Sequence, residues 1–259
     1  MEHRSTSRVL DIFDALADLP DGLTLTELSQ VLHAPKSSLL PILKTLQQRR
    51  YLRLDFDTGR YRLGINAFAI GAAAANGGGL GPIIQVMKEV TANCHETCQL
   101  GILENQDVLY VAKEDSPQPI RMISWVGKRL PANATAIGKA LLSGLDDAEI
   151  AARYQDGFLA LTEKTITELP VLLEQLHQIR AGKLAFEQEE ATDQVMCWAV
   201  PLFYQDQVFA ALSVSLPLFR YSLEKEAQIE TCLKDAKAQI EQLGILRAFH
   251  VVSDLRRKQ

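Results

Sequence analysis

The chain has 259 residues, of which 47% are hydrophobic and 23% are charged, and its formal net charge is −5. This composition predicts about two globular domains and argues against a disordered chain. No apolar run is long enough for a membrane helix and the first residues lack a signal-peptide pattern, so we expect a cytoplasmic protein without a membrane partner.

Positive charge is concentrated in one short part of this acidic chain. Residues 36–62 contain seven Lys or Arg residues and only two Asp residues. A local basic excess of this size is typical of a surface that contacts the phosphates of a nucleic acid.

The four cysteines, Cys94, Cys98, Cys197 and Cys232, form no CxxC pair. His95 lies between the first two, but a zinc site normally needs four ligands and no second cluster is present. We therefore expect packed thiols in a reducing compartment, with no metal site and no cofactor.

The first helix is predicted in the stretch SRVLDIFDALADLP, where apolar residues recur at helical spacing until Pro20 and Gly22 end the helix. A second helix follows in TLTELSQVL. Thr24 and Glu27 have the spacing of a capping box at its start. His33 and Ala34 then predict a tight turn.

A third helix is predicted to begin near Pro35 and to contain an apolar stripe formed by Leu39, Ile42, Leu43 and Leu46. Pro41 lies inside it. Because proline has no N–H, the carbonyl of Ser37 loses a helical hydrogen bond, and we expect a bend at this point.

The stretch YLRLDFDTGRYRLG predicts two short strands joined by a turn that contains Asp57 and Gly59. Arg60 and Arg62 are two residues apart on the second strand, so they are expected on the same face. Helices followed by a basic hairpin suit a recognition helix in the major groove with an arginine-bearing wing beside the phosphates.

The stretch GLTLTELSQVLHAPKSSLLPILKTLQQRRYL…TGRYRLG resembles the winged helix–turn–helix of IclR-family bacterial transcription regulators. The family usually has a polar or basic pair where this chain has Leu40 and Pro41. An apolar residue there would contact a thymine methyl group. The candidate contacts to double-stranded operator DNA are Lys36, Ser37, Ser38, Leu40, Lys44, Thr45, Arg60 and Arg62.

The composition changes sharply at NAFAIGAAAANGGGLGP. The glycine run lacks the GK[ST] ending of a phosphate-binding loop and no strand precedes it, so we interpret it as a linker that begins as a helix. The predicted organisation is a winged helix–turn–helix domain at 1–65, a linker helix at 66–81 and a second domain at 82–259.

The second domain opens with a helix in PIIQVMKEVTANCHETCQL and then alternates strands with helices. The segments QLGILE, VLYVAKE, IRMISWV, WAVPLFY and VFAALSVSL predict strands. TAIGKALL, VLLEQLHQIRAG and EKEAQIETCLKDAKAQIEQLGILRAF predict helices. The expected fold is α+β, with a mostly antiparallel sheet of the kind found in GAF-like sensor domains.

Free N–H groups at the start of the TAIGKALL helix would favour an anion such as a carboxylate. Ser213 and Ser215 alternate with apolar residues, so both hydroxyls are expected on one face and in need of partners. A bound polar ligand would supply those partners; neighbouring backbone groups are the alternative.

The resemblance to IclR-family regulators continues through ILENQDVLYVAKEDSPQPIRMISWVGKRLP…ATAIGKALL and LAFEQEEATDQVMCWAVPLFYQDQVFAALSVSLP. It implies a domain that binds a small organic acid effector. The family commonly has histidine and glycine where this chain has Asn133 and Gln194. The implied pocket positions are Asn133, Ala136, Ile137, Glu187, Cys197, Ser213 and Ser215.

Two other polar features of the second domain have simple interpretations. Glu187, Glu189 and Glu190 have a spacing that suits a solvated acidic stretch better than catalytic carboxylates. His177 is expected on the surface.

The favoured function is a transcription regulator rather than an enzyme, and it is expected to form a homodimer or a dimer of dimers, because dimers pair two recognition helices with two half-sites. The family includes repressors and activators. The alternatives are a cytosolic hydrolase of small acids, with Cys197 as nucleophile and a distant His250, and a ligand sensor whose DNA binding has decayed.

Overall fold

The computed structural model describes residues 3–17, 19–77, 80–122 and 124–243. The chain divides after Gly77 into two compact units. The predicted linker, residues 66–81, spans this division, and its limits and those of the two domains stay predictions. Within the described ranges no helix is long and apolar enough to cross a membrane.

Three helices form the core of the N-terminal unit: α1 (Arg4–Ala17), α2 (Leu25–Val31) and α3 (Lys36–Gln48). Their apolar stripes meet, and Ile12, Leu28, Leu39 and Leu43 are completely buried. The predicted periodicity is therefore confirmed. Burial of these aliphatic side chains contributes about 1.5–3 kcal/mol each to folding.

The wing is a three-stranded antiparallel sheet of β1 (Leu23–Thr24), β2 (Leu52–Asp55) and β3 (Arg60–Leu63), in the order β1-β3-β2. The hairpin was predicted, but β1 has only two residues and gives no periodic signal. Gly22 (φ +75°) precedes β1, and an added Cβ there would meet the carbonyl oxygen of Tyr61 at 2.3 Å. The helix α4 (Ile65–Gly77) follows the wing.

The C-terminal unit is built on a six-stranded antiparallel sheet with the strand order β6-β5-β4-β9-β8-β7. Its strands are β4 (Thr97–Glu104), β5 (Asp107–Glu114), β6 (Arg129–Pro131), β7 (Ala185–Gln188), β8 (Val195–Tyr204) and β9 (Gln207–Pro217).

Helices cover both faces of this sheet. On one face α5 (Leu80–Cys94) and α9 (Leu223–Gln242) enclose an apolar core. On the other face α6 (Ala136–Leu142) and α8 (Leu169–Arg180) enclose a second core, to which the short helix α7 (Asp147–Arg153) contributes. The predicted α+β class with an antiparallel sheet is confirmed. The predicted end of the last helix, from residue 244 onwards, lies outside the described residues.

One predicted strand is wrong. The described residues of IRMISWV, 120–126, form a loop, and the strand follows at β6. Backbone pairing with β5 begins at Gly127 and Lys128, where Tyr110 accepts from the N–H of Gly127 at 2.7 Å and donates to the carbonyl of Lys128 at 3.0 Å. Gly127 has φ +94°, which turns the backbone out of an extended ladder. The short elements β7 and α7 were not predicted.

Candidate functional site

The recognition helix α3 presents most of its predicted DNA contacts to solvent. Lys36, Ser37, Lys44 and Thr45 are exposed, and Leu40 is half-buried. The helix runs through Pro41 without a break. Its exposed side therefore offers two lysines and two hydroxyls, while its opposite side packs into the core.

Several of these side chains have intramolecular partners. The Ser38 hydroxyl donates to the carbonyl of Pro35 at 2.8 Å and accepts from Arg8 at 3.2 Å. The Thr45 hydroxyl donates to the carbonyl of Pro41 at 3.0 Å. Ser38 and Thr45 therefore contribute first to the geometry of the helix.

Lys36 Nζ donates to the hydroxyl of Thr26 at 2.8 Å, which ties the start of α3 to α2. Lys44 makes no hydrogen bond or ion pair with the part of the chain that the structure describes. Lys44 can thus contact a phosphate without losing a bond to the described residues, whereas Lys36 would have to release Thr26.

The two wing arginines are held by the loop that precedes β1. Arg60 donates from Nη1 to the carbonyl of Gly22 at 2.6 Å and from Nη2 to Glu27 at 3.0 Å. Arg62 Nε donates to the carbonyl of Asp21 at 3.0 Å. Arg60 therefore fastens the wing to α2, and its predicted phosphate contact stays a prediction, as does that of Arg62.

Glu27 completes this fastening as part of a capping box on α2, as predicted from its spacing with Thr24. The backbone and side-chain hydrogen bonds of Thr24, followed by the charge of Arg60, hold the pKa of the Glu27 carboxyl below its usual value. The carboxylate is thus kept ionised to pair with the arginine.

In the C-terminal unit, the strand register brings three predicted pocket residues into one row. Glu187 pairs with Cys197, Cys197 with Ser215, and Ser215 with Thr97 across β7, β8, β9 and β4. All four are buried. A row of buried polar side chains in a largely apolar face marks this position as a candidate binding site.

A chain of hydrogen bonds runs along and beside this row. The Cys197 thiol donates to Ser215 Oγ at 3.2 Å, and that hydroxyl donates to Gln99 Oε1 at 3.1 Å. Gln99 Nε2 donates to Ser124 Oγ at 2.7 Å, and Lys113 Nζ donates to the Ser124 carbonyl at 2.7 Å. The Ser215 hydroxyl, expected to need a partner, is therefore satisfied by neighbouring side chains.

Gln99 was missed by the sequence analysis although it stands opposite Ser213 in the β4–β9 register. A glutamine inside the apolar strand QLGILE was the available signal. Ser213 is itself buried beside Gln99. The candidate site thus contains two adjacent rows of polar side chains that cross the sheet, one through Ser215 and one through Ser213 and Gln99.

The other three predicted pocket residues lie around the start of α6. Ala136 and Ile137 are buried in the core on this face of the sheet. Asn133 donates to the carbonyls of Leu159 and Ile166 at 3.3 and 2.9 Å. Its Oδ1 is buried and has no hydrogen-bond partner among the described residues.

At the start of α6, one of the backbone N–H groups that the sequence suggested would be free has a partner within the protein. The N–H of Gly138 donates to the hydroxyl of Thr135 at 3.0 Å. Gly138 is required because an added Cβ would lie 2.2 Å from the carbonyl oxygen of Ala132. The glycine therefore serves close packing, and one of the expected donors is already capped.

The acidic stretch is buried, so its interpretation as a solvated surface was wrong. Glu187, Glu189 and Glu190 expose 1%, 6% and 8% of their areas. Glu187 accepts from the N–H of Glu190 at 2.9 Å, and Glu189 accepts from Lys164 and from Gln194. Each carboxylate has a specific partner, which a sequence pattern cannot supply.

Glu190 accepts from Lys139, which is completely buried in the middle of α6, at 2.6 and 2.7 Å. Lys139 also donates to the carbonyl of Phe186 at 3.2 Å. The sequence analysis missed this buried ion pair. A single lysine inside the apolar segment AIGKALL was the signal, because a lysine is rarely buried without a partner.

Burial shapes the protonation of this region. It raises the pKa of Glu187 to about 7, against the hydrogen bond from the N–H of Glu190 and the charge of Lys139. Burial lowers the pKa of Lys139, an effect opposed by the charge of Glu190. Burial and the nearby Glu187 raise the pKa of the Cys197 thiol well above its usual value. Both effects favour the neutral form of the Cys197 thiol, which is a weaker nucleophile than the thiolate.

The remaining sequence predictions concern metal sites and His177. The four cysteines are free, and three of them are buried. Among the residues that the structure describes, no cluster of His, Cys, Asp and Glu could hold a metal ion. His177 lies on the surface of α8, with Nε2 at 2.8 Å from Asp147.

Comparison with known families covers both units. Residues 83–242 match the family profile described as "Bacterial transcriptional regulator IclR C-terminal". Residues 5–55 match the profile described as "IclR helix-turn-helix domain".

Individual proteins show the same similarity. The HTH-type transcriptional regulator KdgR of Escherichia coli (strain K12) is 33% identical over 241 residues, which cover 91% of this chain and 92% of that protein. An IclR transcriptional regulator from Alicyclobacillus acidocaldarius superposes with a TM-score of 0.86 at 23% identity, over 94% and 100% of the two chains.

A third similar protein is an IclR homologue from Microbacterium hydrocarbonoxydans, solved as a complex with 4-hydroxybenzoate. It superposes with a TM-score of 0.75 at 22% identity, over 94% of this chain and 99% of its own. At this level of identity the likeness concerns the fold.

Proposed function

This chain belongs to the IclR family of bacterial transcriptional regulators, and we propose that a small organic acid bound in its C-terminal unit modulates its binding to an operator. The family membership makes it a DNA-binding transcriptional regulator. The observation that carries the effector proposal is the buried polar row Glu187–Cys197–Ser215–Thr97 on one face of the sheet.

On the DNA side, we assign the contacts to the exposed residues of α3 and to the wing. Lys36 and Lys44 suit phosphates, since both are exposed cations on the same helix. Arg62 suits a phosphate better than Arg60, because only its Nε is engaged within the protein. The assigned residues are Lys36, Ser37, Ser38, Leu40, Lys44, Thr45, Arg60 and Arg62.

On the effector side, the site would hold a ligand that can accept and donate hydrogen bonds. The Asn133 amide oxygen is buried and has no partner in the part of the chain that the structure describes, and Ser215 and Gln99 can exchange their mutual bond for one with a ligand. A protein of the same fold is complexed with 4-hydroxybenzoate, an aromatic carboxylic acid, which supports the class of effector. The assigned residues are Asn133, Ala136, Ile137, Glu187, Cys197, Ser213 and Ser215.

The predicted homodimer or dimer of dimers is supported by exposed apolar side chains in the N-terminal unit. Ile65, Phe68 and Ile70 on α4 are 62%, 71% and 58% exposed, and Leu10 on α1 is 56% exposed. Apolar residues in this number on one small unit favour contact with another copy. Phe68→Glu should therefore lower the molecular mass measured by light scattering.

Two alternatives have less support. A hydrolase that uses Cys197 as nucleophile would need a thiolate, and burial opposes its formation. A sensor with decayed DNA binding would explain Pro41, but α3 keeps its length and its exposed lysines.

The first experiment is capture of genomic DNA fragments by the purified full-length protein at two salt concentrations, followed by sequencing. A few enriched sites that share a palindrome are the expected result. Weak retention without sequence preference, lost at the higher salt, would instead support the decayed sensor.

The effector assignment is tested with Ser215→Leu. The bulkier apolar side chain removes the hydroxyl and fills space beside Cys197 and Gln99. DNA binding should remain, while the response to effective members of a panel of small hydroxy and keto acids and 4-hydroxybenzoate should disappear. A retained response would remove Ser215 from the site.

A further inference from the structure

The exposed side of α3 has an apolar centre. Ser37, Pro41 and Lys44 are all exposed, and Leu40, next to Pro41, is half-buried. Helix positions three and four apart lie on the same face, so these exposed residues form one stripe. A proline ring thus stands between a serine and a lysine on the face of the helix that points away from the core.

The neighbouring hydroxyls are occupied within the protein. Ser38 donates to the carbonyl of Pro35, and Thr45 donates to the carbonyl of Pro41. To hydrogen-bond a base edge, either side chain would have to give up that bond. The middle of the stripe is therefore better suited to apolar contact than to hydrogen bonding.

The floor of the major groove offers one kind of apolar group, the C5-methyl of thymine. We propose that Pro41, together with Leu40, reads thymine methyl groups in the operator, while Lys44 beside it holds a phosphate. This inference rests on the DNA-binding function of α3. It makes Pro41 a specificity-determining residue rather than a defect in the helix.

The ring of Pro41 suits this role because it is rigid and ordering it costs no side-chain entropy. The magnitude follows from the area of one methyl group. Burying a methyl or methylene group against an apolar surface strengthens binding about fourfold. A side chain that recognises thymine through hydrogen bonds would bind uracil equally well, because uracil keeps every polar group of thymine and lacks only the methyl group.

The test begins with duplexes selected by the wild-type, full-length protein from a random-sequence library. In a recovered duplex, each thymine is replaced in turn by deoxyuridine. We expect affinity to fall about fourfold at one or two positions in each half-site and to be unchanged elsewhere. Equal affinity for all thymine and deoxyuridine duplexes would overturn the inference while leaving the regulator assignment intact.

A second step assigns the methyl contact to Pro41. Pro41→Ala should remain folded, because alanine restores the N–H and is the best helix former. It should bind the thymine duplex about fourfold less tightly and should no longer distinguish deoxyuridine at the position that Pro41 contacts, while a position contacted by Leu40 keeps its preference. A variant that distinguishes the two bases at every position where the wild type does would overturn the role of Pro41.

Lys44→Ala is the matched control on the same face of the helix. It should weaken binding to both duplexes equally, so that the ratio of the two affinities stays as in the wild type. A library in which no sequence is enriched would contradict sequence-specific regulation itself and this inference with it.

Discussion

The two units of the molecule hold their polar side chains in opposite ways. In the N-terminal unit, the side chains assigned to DNA are exposed or half-buried, whether they bond within their own helix, as Thr45 does to Pro41, or across the unit, as Arg60 does to Glu27. In the C-terminal unit the polar side chains are buried, and their partners are distant in sequence: Ser215 bonds to Gln99 and Lys139 to Glu190.

The contrast has a physical cause. A surface that meets DNA keeps its charges in water, where they cost little until the phosphates arrive. A site that encloses a small molecule removes its polar groups from water, so each group needs a partner in the protein or in the ligand. The four predictions below test this difference, beginning with the largest expected effect.

Lys139→Met should be the most damaging change, because it leaves the carboxylate of Glu190 buried without its cation. Breaking a buried ion pair typically costs about 3–5 kcal/mol of folding stability. Urea unfolding, followed by circular dichroism, measures the loss.

The matched control for this prediction is Lys164→Met, which removes the exposed partner of the buried Glu189. Its effect should be much smaller, because water can replace an exposed ammonium group. The double variant Lys139→Met with Glu190→Met should recover stability. An unfolding midpoint for Lys139→Met equal to that of the wild type would contradict the role given to this pair.

Glu187→Gln should change the pH dependence of stability. Burial raises the folded pKa of Glu187 from 4.5 to about 7, so the folded state holds the proton more tightly than the unfolded state. In the wild type, the contribution of Glu187 to the free energy of unfolding therefore falls as the pH rises from about 4.5 to about 7 and is constant above that. Glutamine resembles the protonated acid and removes the decline.

Between pH 5 and pH 8, the free energy of unfolding of Glu187→Gln should therefore rise by about 2–3 kcal/mol relative to that of the wild type. Lys139, Glu190 and Cys197 face this carboxyl in both proteins, so their own titration largely cancels. Urea unfolding at the two pH values gives the comparison. A difference that does not change with pH would show that Glu187 titrates normally.

Arg60→Ala and Arg62→Ala should separate a structural arginine from a DNA contact. Arg60 pairs with Glu27 and with the carbonyl of Gly22, so its loss should lower the unfolding midpoint of the N-terminal unit slightly. Arg62→Ala should leave the midpoint nearly unchanged and weaken binding to all DNA sequences. Thermal unfolding measures the midpoints and filter binding measures the affinities. The reverse pattern would assign the structural role to Arg62 and the DNA contact to Arg60.

Lys36→Ala and Lys44→Ala should have the smallest effects, confined to salt dependence. Each lost phosphate contact lowers the slope of log affinity against log salt by about one. Lys44 should have the larger effect, since Lys36 already donates to Thr26. Binding titrations at several salt concentrations test this, and unchanged slopes for both variants would rule out phosphate contacts by α3.

The sequence by itself determined the features that depend on near neighbours. The three helices of the first unit, the capping box of Thr24 and Glu27, the wing hairpin and the main strands of the second unit were all predicted. Periodicity and capping act within a few residues, so a pattern can specify them. IRMISWV was the exception, because its apolar alternation belongs to a loop that precedes the backbone pairing with β5, which begins at Gly127 and Lys128.

Only the tertiary structure decided how the candidate effector site is assembled. It buried the glutamates of the acidic stretch, paired Lys139 with Glu190 and brought Gln99 against Ser215. These contacts join residues that are 51 and 116 positions apart. The free energy that places them there comes from strand register and core packing, which are properties of the whole unit and leave no local pattern in the chain.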